Sequence, residues 1–565
     1  MLTTMNKKYK EDKVQILPGV SSKWKFGSTI MLFIVMLAIL NGSCTKDFEE
    51  INTNPQGFTT ANDGALFNSL IQSLVLTGNE QFYINNDILY KQSQLAALAT
   101  DAWGTYSIGT SELWKNYYEK LPIVRELEKR FNGYPSTAGY NNMRAMVKII
   151  LAYKTFKMTD LFGDIPFSDA GYGFQNIEKL HPKYDLQRDI YISQLESLKD
   201  AAGLIDDTAR LVEPFKTFVS FDKLFRGDLL IWKKFANSLR LRYAMRMADK
   251  EPEIAGEIVN DIITNKLPVL EGYGLTGPVL ESACIWPAAA GFKNTSLNWS
   301  FREHNGLRMG SNLWHQLSDG DDPSGNDIID PRAFVFFETN GDNQWVAFPQ
   351  VPPAGTPSAG GVPYGEHRDD MGNFTIKGSN CNYSFFNYFL IRDEDFMPII
   401  LMTGAEVHFL KAEAYIRGIG VAQNLDEGDN EYMNGVNASV SWWVDVANHS
   451  SLPLSGAKFT DLLPLPSNLS ASTVLNRFGS WNAANDQDRL RFLYTQMWID
   501  LFRQPWEAYA LCRRTNLLPR EGDAINHFRL PYPTTELEFN SANCAEAVAR
   551  QGGNDFSVRM WWNSL

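Results

Sequence analysis

Cysteine and histidine are scarce in this chain. The 565 residues hold five cysteines and seven histidines. With no C-x-x-C pair and no H-E-x-x-H, zinc chemistry of either the structural or the peptidase kind is disfavoured. A G-K-[ST] loop and a G-x-S-x-G elbow are missing as well, which removes the usual phosphate cradle and hydrolase nucleophile. Basic charge is in deficit, at a formal net charge of −13. A surface of that sign argues against nucleic acid and anionic lipid as partners. The longest apolar run, Ile30 to Leu40, is too short for the ~20 residues that cross a bilayer as a helix.

What is present begins with that run. Lys23 and Lys25 precede it, and Asn41, Gly42 and Ser43 lead to Cys44, the layout of a secretory signal peptide. The stretch resembles a bacterial lipoprotein signal, in which the cysteine becomes the acylated N-terminus, although Asn41 stands where an aliphatic residue is usual. Residues 1 to 43 carry six lysines and two acids, so their removal takes the net charge from −13 to −17. Cys284, Cys381, Cys512 and Cys544 remain, compatible with two disulfides or with four free buried thiols.

Residues 44–64 read as a polar tether whose closing Asn62-Asp63 marks a helix start. Residues 65–260 are helical in pattern: Ala145, Ile149, Ala152 and Phe156 form one apolar face, and Met146, Ile150 and Tyr153 a second, which places that helix between others. Trp232, Ala236, Leu239, Tyr243 and Met247 repeat the period. The accompanying Lys233, Lys234, Arg240, Arg242 and Arg246 read as a solvated or salt-bridged face. Residues 261–398 lose the period and fill with Gly, Pro, Asn and aromatics, suggesting long loops and short strands. Helices return over 399–565, where Ala405, Phe409, Ala412 and Ile416 make a small–large stripe suited to closely packed helix pairs.

Three chemical motifs are weak. "GYGLTG" at 272–277 matches a dinucleotide fingerprint, but no strand–helix alternation surrounds it. "DGDDPSGND" at 319–327 clusters oxygen ligands without the spacing of a calcium loop and reads as a solvated turn. Asp369-Asp370 and Asp393-Glu394-Asp395 could supply a glycosidase pair, as many acid pairs in an acidic chain could. No cofactor is indicated. Tryptophan is more informative: Trp103, Trp286, Trp299, Trp314 and Trp345 fall in segments that read as loops or loop edges. Flat aromatic faces suit sugar rings. Asp101, Trp103 and Tyr106 gather at a glycine turn after a helix expected around residues 86 to 100.

Six collinear segments resemble the SusD/RagB-like outer-membrane lipoproteins, in particular the SusD-like 2 branch: "DFEEINTNP", "MTDLFGDIPFSDA", "WKKFANSLRLRYAMR", "TGAEVHFLKAEAYIRG", "PWEAYALCRRTNLLP" and "RLPYPTTELEFNSAN". The resemblance implies a mainly α fold, a right-handed superhelix of tetratricopeptide-like helix pairs with a loop-rich ligand-binding region. It further implies a non-catalytic lipoprotein at the outer face of the outer membrane, anchored through Cys44. Such a protein delivers oligosaccharides, or in some branches peptides, to a SusC-like TonB-dependent transporter. Trp506, Glu507, Arg513 and Arg514 are then scaffold, and the expected ligand contacts are Asp101, Trp103, Tyr106, Trp286, Trp299 and Arg302. A surface glycoside hydrolase on a helical scaffold is the competing class.

Overall fold

The computed structural model describes residues 61–100, 104–271, 281–286, 295–304, 306–361, 363, 381–387, 397–449, 466–477, 481 and 484–563. In chain order its first half runs α1 (Asp63–Gln72), a π-helix (Glu80–Leu89), α2 (Tyr90–Ser93), β1 (Ala97–Leu98), α3 (Tyr106–Tyr118), α4 (Leu121–Asn132), α5 (Ala138–Phe162), β2 (Ile165–Pro166), β3 (Tyr184–Asp185), α6 (Gln187–Leu204), α7 (Phe215–Val219), α8 (Leu229–Met247) and α9 (Pro252–Thr264). There follow β4 (Ala283–Ile285), α10 (Thr295–His304), β5 (Leu307–Arg308), α11 (Ser311–Leu317), α12 (Arg332–Phe336), β6 (Phe337–Glu338), β7 (Phe385–Phe386) and β8 (Ile399–Met402). The chain closes with α13 (Gly404–Arg417), α14 (Leu425–His449), α15 (Ala471–Arg477), α16 (Asp486–Asp500), α17 (Pro505–Thr515), α18 (Thr534–Phe539) and α19 (Ser541–Gln551). The fold is mainly helical, and α5 with α6, α8 with α9 and α13 with α14 pack as tetratricopeptide-like pairs. Residues 62–565 form one compact unit.

Both expected faces of α5 are buried: Ala145, Ile149, Ala152 and Phe156 are fully covered, as are Met146, Ile150 and Tyr153. Phe156 stacks on Tyr243 of α8 with ring centroids 3.7 Å apart. Small residues set the α13–α14 distance, since a Cβ on Gly435 would come within 2.5 Å of the Phe409 ring. Asn62 caps α1 by accepting from the Ala65 N–H at 2.7 Å, as its sequence position predicted.

The three arginines of the basic face of α8 are buried and salt-bridged, while Lys234 is half-buried on Glu281 and Lys233 half-buried on the Ile205 carbonyl. Arg242 is 1% exposed and forks onto Glu406, with Nε to Oε1 at 2.6 Å and Nη2 to Oε2 at 2.5 Å. Arg246 pairs with Asp160 and with Glu507. On α17, Arg514 grips Glu413 bidentately at 2.6 and 2.9 Å, while Arg513 donates to the backbone carbonyls of Asp160 and Phe528. Burial alone would raise the Glu413 carboxyl, but Arg514 and Arg417 outweigh it and hold it at about 2. Charges this deep persist only when paired and hydrogen-bonded. These contacts tie α5, α8, α13 and α17 together, in keeping with a scaffold role for Glu507, Arg513 and Arg514.

The middle of the chain differs from its sequence reading in two respects. The helix expected around 86 to 100 ends at Ser93, because Gln94 adopts a left-handed conformation at φ 56°. Its side chain is fixed from outside, donating to the Glu521 carbonyl at 2.8 Å and accepting from Asn312 at 2.8 Å. The chain then enters β1, which pairs antiparallel with β5. The other two-stranded ribbons among the described residues are β2–β3, β4–β8 and β6–β7. Secondly, Trp314 lies on a short helix, while Trp345 is a buried loop residue. Trp314 sits on α11 and is 1% exposed, stacked on Trp345 at 5.7 Å with its N–H donating to Asp321. The loop-rich region packs into the same hydrophobic core as the helices, which local periodicity does not reveal.

The acidic stretch 319–327 is a self-bonded turn: the Asp322 carboxylate accepts from Ser324 N–H and Oγ, and Asp327 accepts from Asp322 N–H at 2.7 Å. Gly325 takes φ +78° against the Trp345 ring, which lies 2.6 Å from where a Cβ would stand. The four cysteines after residue 61 are all free thiols. "GYGLTG", Asp369-Asp370 and Asp393-Glu394-Asp395 lie outside the described residues.

Candidate functional site

Ten residues of π-helix form the unexpected element. It opens with a reciprocal cap: Thr77 N–H donates to Glu80 Oε2 at 2.7 Å, and Glu80 N–H to Thr77 Oγ1 at 3.2 Å. Such wide helical turns concentrate at functional positions. Nine of its residues are buried, among them Glu80, Gln81, Asn85, Asn86 and Asp87. The amides satisfy one another, Gln81 donating to Asn86 and Asn85 to Gln81, and Asn86 reaches the Ser300 carbonyl of α10. Asp87 meets His304 Nε2 at 2.8 Å. Because His304 Nδ1 accepts from the Gly306 N–H, the hydrogen-bond pattern assigns the proton to Nε2, which donates to Asp87. Polar side chains thus dock α10 onto the π-helix. Nothing in the primary sequence singles them out beyond the T-x-x-E cap at Thr77 to Glu80.

This docking places the aromatics. Trp299, on α10, lies over Phe82 of the π-helix at 5.6 Å. It is 39% exposed, and among the described tryptophans it is the one that is open to solvent. Tyr106 begins α3 on the other flank of the π-helix and packs edge-on against Phe556 at 4.9 Å. Arg302 shares α10 with Trp299, its side chain outside the described atoms. Asp101, Trp103 and Cys44 lie outside the described residues.

Trp286 leaves β4 one residue after Ile285, which pairs with Ile399 of β8. Ile399 and Leu297 of α10 line one small cavity of about 40 Å³, so the β4–β8 ribbon and the Trp299 helix meet there. On its other side Trp286 borders a larger cavity of about 410 Å³, shared with Lys223, Phe225, Arg226, Asp228 and Ser282. That volume falls in the ~300–1,000 Å³ range of small-molecule sites. The structure therefore gathers α10 and β4 into one region and leaves Tyr106 across the π-helix from it.

Chemically the region can stack and hydrogen-bond. The buried carboxylates are committed, Glu80 to the helix cap and Asn116, and Asp87 to His304. Among the described residues no group of three or more His, Cys, Asp or Glu could hold a metal ion.

Comparisons agree with this architecture. A family model, SusD-like 2, described as starch-binding and associating with outer membrane, matches residues 55–532. The solved structure of a chitin-binding protein superposes with a TM-score of 0.65 at 23% identity, covering 89% of this chain and 100% of its own. A SusD homologue from Bacteroides vulgatus ATCC 8482 gives 0.63 at 20% identity, covering 89% and 97%. A SusD-like protein from Bacteroides thetaiotaomicron VPI-5482 gives 0.63 at 18%, covering 89% and 99%. No curated protein matches the chain.

Proposed function

We propose, since the chain belongs to the SusD-like 2 family of starch-binding, outer-membrane-associated proteins, that it captures oligosaccharides at the cell surface and passes them to a SusC-like TonB-dependent transporter. Cys44 is the lipid anchor of this reading. The observation that carries it is Trp299, an exposed indole on a helix locked by the Asp87–His304 pair. An exposed apolar ring of that size costs solubility, and a rigid base makes sense of it as a platform for a sugar face. Trp286 extends the platform toward the cavity beside β4, and Asp101, Trp103 and Arg302 complete the proposed lining, from which Tyr106, packed against Phe556 on the far flank of the π-helix, drops out. Stacking with few charge-assisted contacts gives modest affinity, which suits a protein that must release its cargo.

Binding without turnover is the expected behaviour. Titration with maltohexaose and with chitohexaose, the classes suggested by the family description and by the chitin-binding neighbour, tests it. Heat of binding with unchanged oligosaccharide length supports capture, whereas release of shorter sugars would establish a hydrolase. Co-purification from outer membranes with a plugged β-barrel tests the transporter partnership, and Cys44→Ala releasing the protein from membranes tests the anchor.

A further inference from the structure

The turn before α8 is built around one buried carboxylate. Asp222 is 2% exposed and accepts from the N–H groups of Leu224, Phe225 and Gly227 and from the Trp232 indole N–H at 2.8 Å. Four bonds to one side chain over-determine the loop. They hold Arg226 at φ +57°, a left-handed conformation that a long side chain rarely adopts. Such strain persists where the surroundings enforce it, and it concentrates at ligand-contacting positions. Lys223 and Arg226 both border the 410 Å³ cavity, together with Trp286 and Ser282.

Charge makes this unusual. The chain has 65 acidic residues against 52 basic ones, and the buried Arg242, Arg246 and Arg514 of the scaffold are each ion-paired. Among the described residues, neither Lys223 nor Arg226 has an ion-pair partner. The nearby Glu281 is engaged by Lys234 at 3.0 Å. Asp228, also on the cavity wall, uses Oδ1 to cap α8 through the Ile231 N–H. The wall therefore carries two cations and one anion beside an indole and a hydroxyl.

We infer that this cavity selects sugars bearing an acidic group, a carboxylate or a sulfate, with Trp286 under the ring and Lys223 and Arg226 on the anion. The inference rests on the glycan-capture reading and narrows it. On a protein whose net field repels acidic polymers, a local pair of unmatched cations beside a stacking surface is what recovers their binding.

Calorimetry on the mature protein with three tetrasaccharides tests it: a galacturonic acid tetramer, a sulfated galactose tetramer and a neutral galactose tetramer. At least one acidic tetramer is expected to bind ~10-fold or more tightly than the neutral one, with the gap shrinking as salt rises. The two acidic arms separate carboxylate from sulfate. Lys223→Gln with Arg226→Gln is expected to abolish the preference for the acidic tetramers. Arg226→Gly, which relieves the left-handed strain, is expected to weaken acidic binding while the melting temperature holds or rises. Equal binding of all three tetramers, or a preference surviving the double substitution, overturns the inference. If starch or the neutral tetramer binds and neither acidic one does, this inference alone falls. If no oligosaccharide binds at all, the capture reading falls with it.

Discussion

Arg242 and Arg226 stand only sixteen residues apart, yet they belong to two regions governed by opposite rules. Arg242 is sealed between helices and grips Glu406 with both ends of its guanidinium. Arg226 is exposed on a strained turn, with no ion-pair partner among the described residues. In the scaffold, Arg242, Arg246 and Arg514 are each answered by a buried carboxylate, and the pairs lock helices that are distant in sequence. At the Trp286 cavity charge is left unanswered, and its partner has to come from outside. Partnership and depth, rather than residue type, separate structure from recognition here.

The sharpest way to break that contrast is to remove one partner from each region. Glu507→Gln leaves Arg246 and Arg242 short of a buried carboxylate and is expected to cost ~3–5 kcal/mol in denaturant unfolding. Arg226→Gln is expected to stay within ~0.5 kcal/mol of the parent in the same assay. Comparable losses would mean that the turn is scaffold too.

Acid titration sharpens the scaffold side. Glu413 is held at about 2 in the fold, below the ordinary glutamate range, so its stabilisation is complete above that range and is lost as pH falls toward 2. Glu413→Gln is expected to flatten that acid limb of the stability curve, at the cost of a lower plateau at neutral pH.

Lys154 gives a second pH dependence of the same sign in the alkaline range. Burial pushes its ammonium down to about 7, against the pull of Glu80, while Nζ donates to the Ser73 carbonyl and hydroxyl at 2.8 Å. Between pH 7 and the ordinary lysine range the unfolded chain then holds more protons than the folded one. Stability should therefore climb with pH across that window, and Lys154→Met should remove the climb in a pH series of melting curves. Smallest in stability is Trp299→Ala, expected within ~0.5 kcal/mol because the ring is already open to solvent. Its effect should appear in glycan affinity, which is expected to fall roughly tenfold. Unchanged affinity would remove Trp299 from the platform.

Legibility followed the range of the forces involved. The α5 and α8 faces could be read directly, because 3.6-residue periodicity is a local consequence of burial. The scaffold role of Glu507, Arg513 and Arg514 came from resemblance, and their partners Arg242, Arg246, Asp160 and Glu413 lie up to several hundred positions away along the chain. The candidate site was less accessible. Trp299, Trp314 and Trp345 look alike in a segment without period, and only packing makes the first exposed and buries the other two against each other.

Composition and pattern by themselves determined that the chain is a helical scaffold interrupted by an aromatic-rich middle, with an excess of acidic over basic residues. Those properties are sums or short-range repeats, which a linear text preserves. The tertiary structure decided that ten residues near the start widen into a π-helix, that His304 and Asp87 fix the helix carrying Trp299, and that Lys223 and Arg226 line one cavity with Trp286. Each depends on groups brought together by packing over long sequence separations, and a sequence read in order does not bring them together.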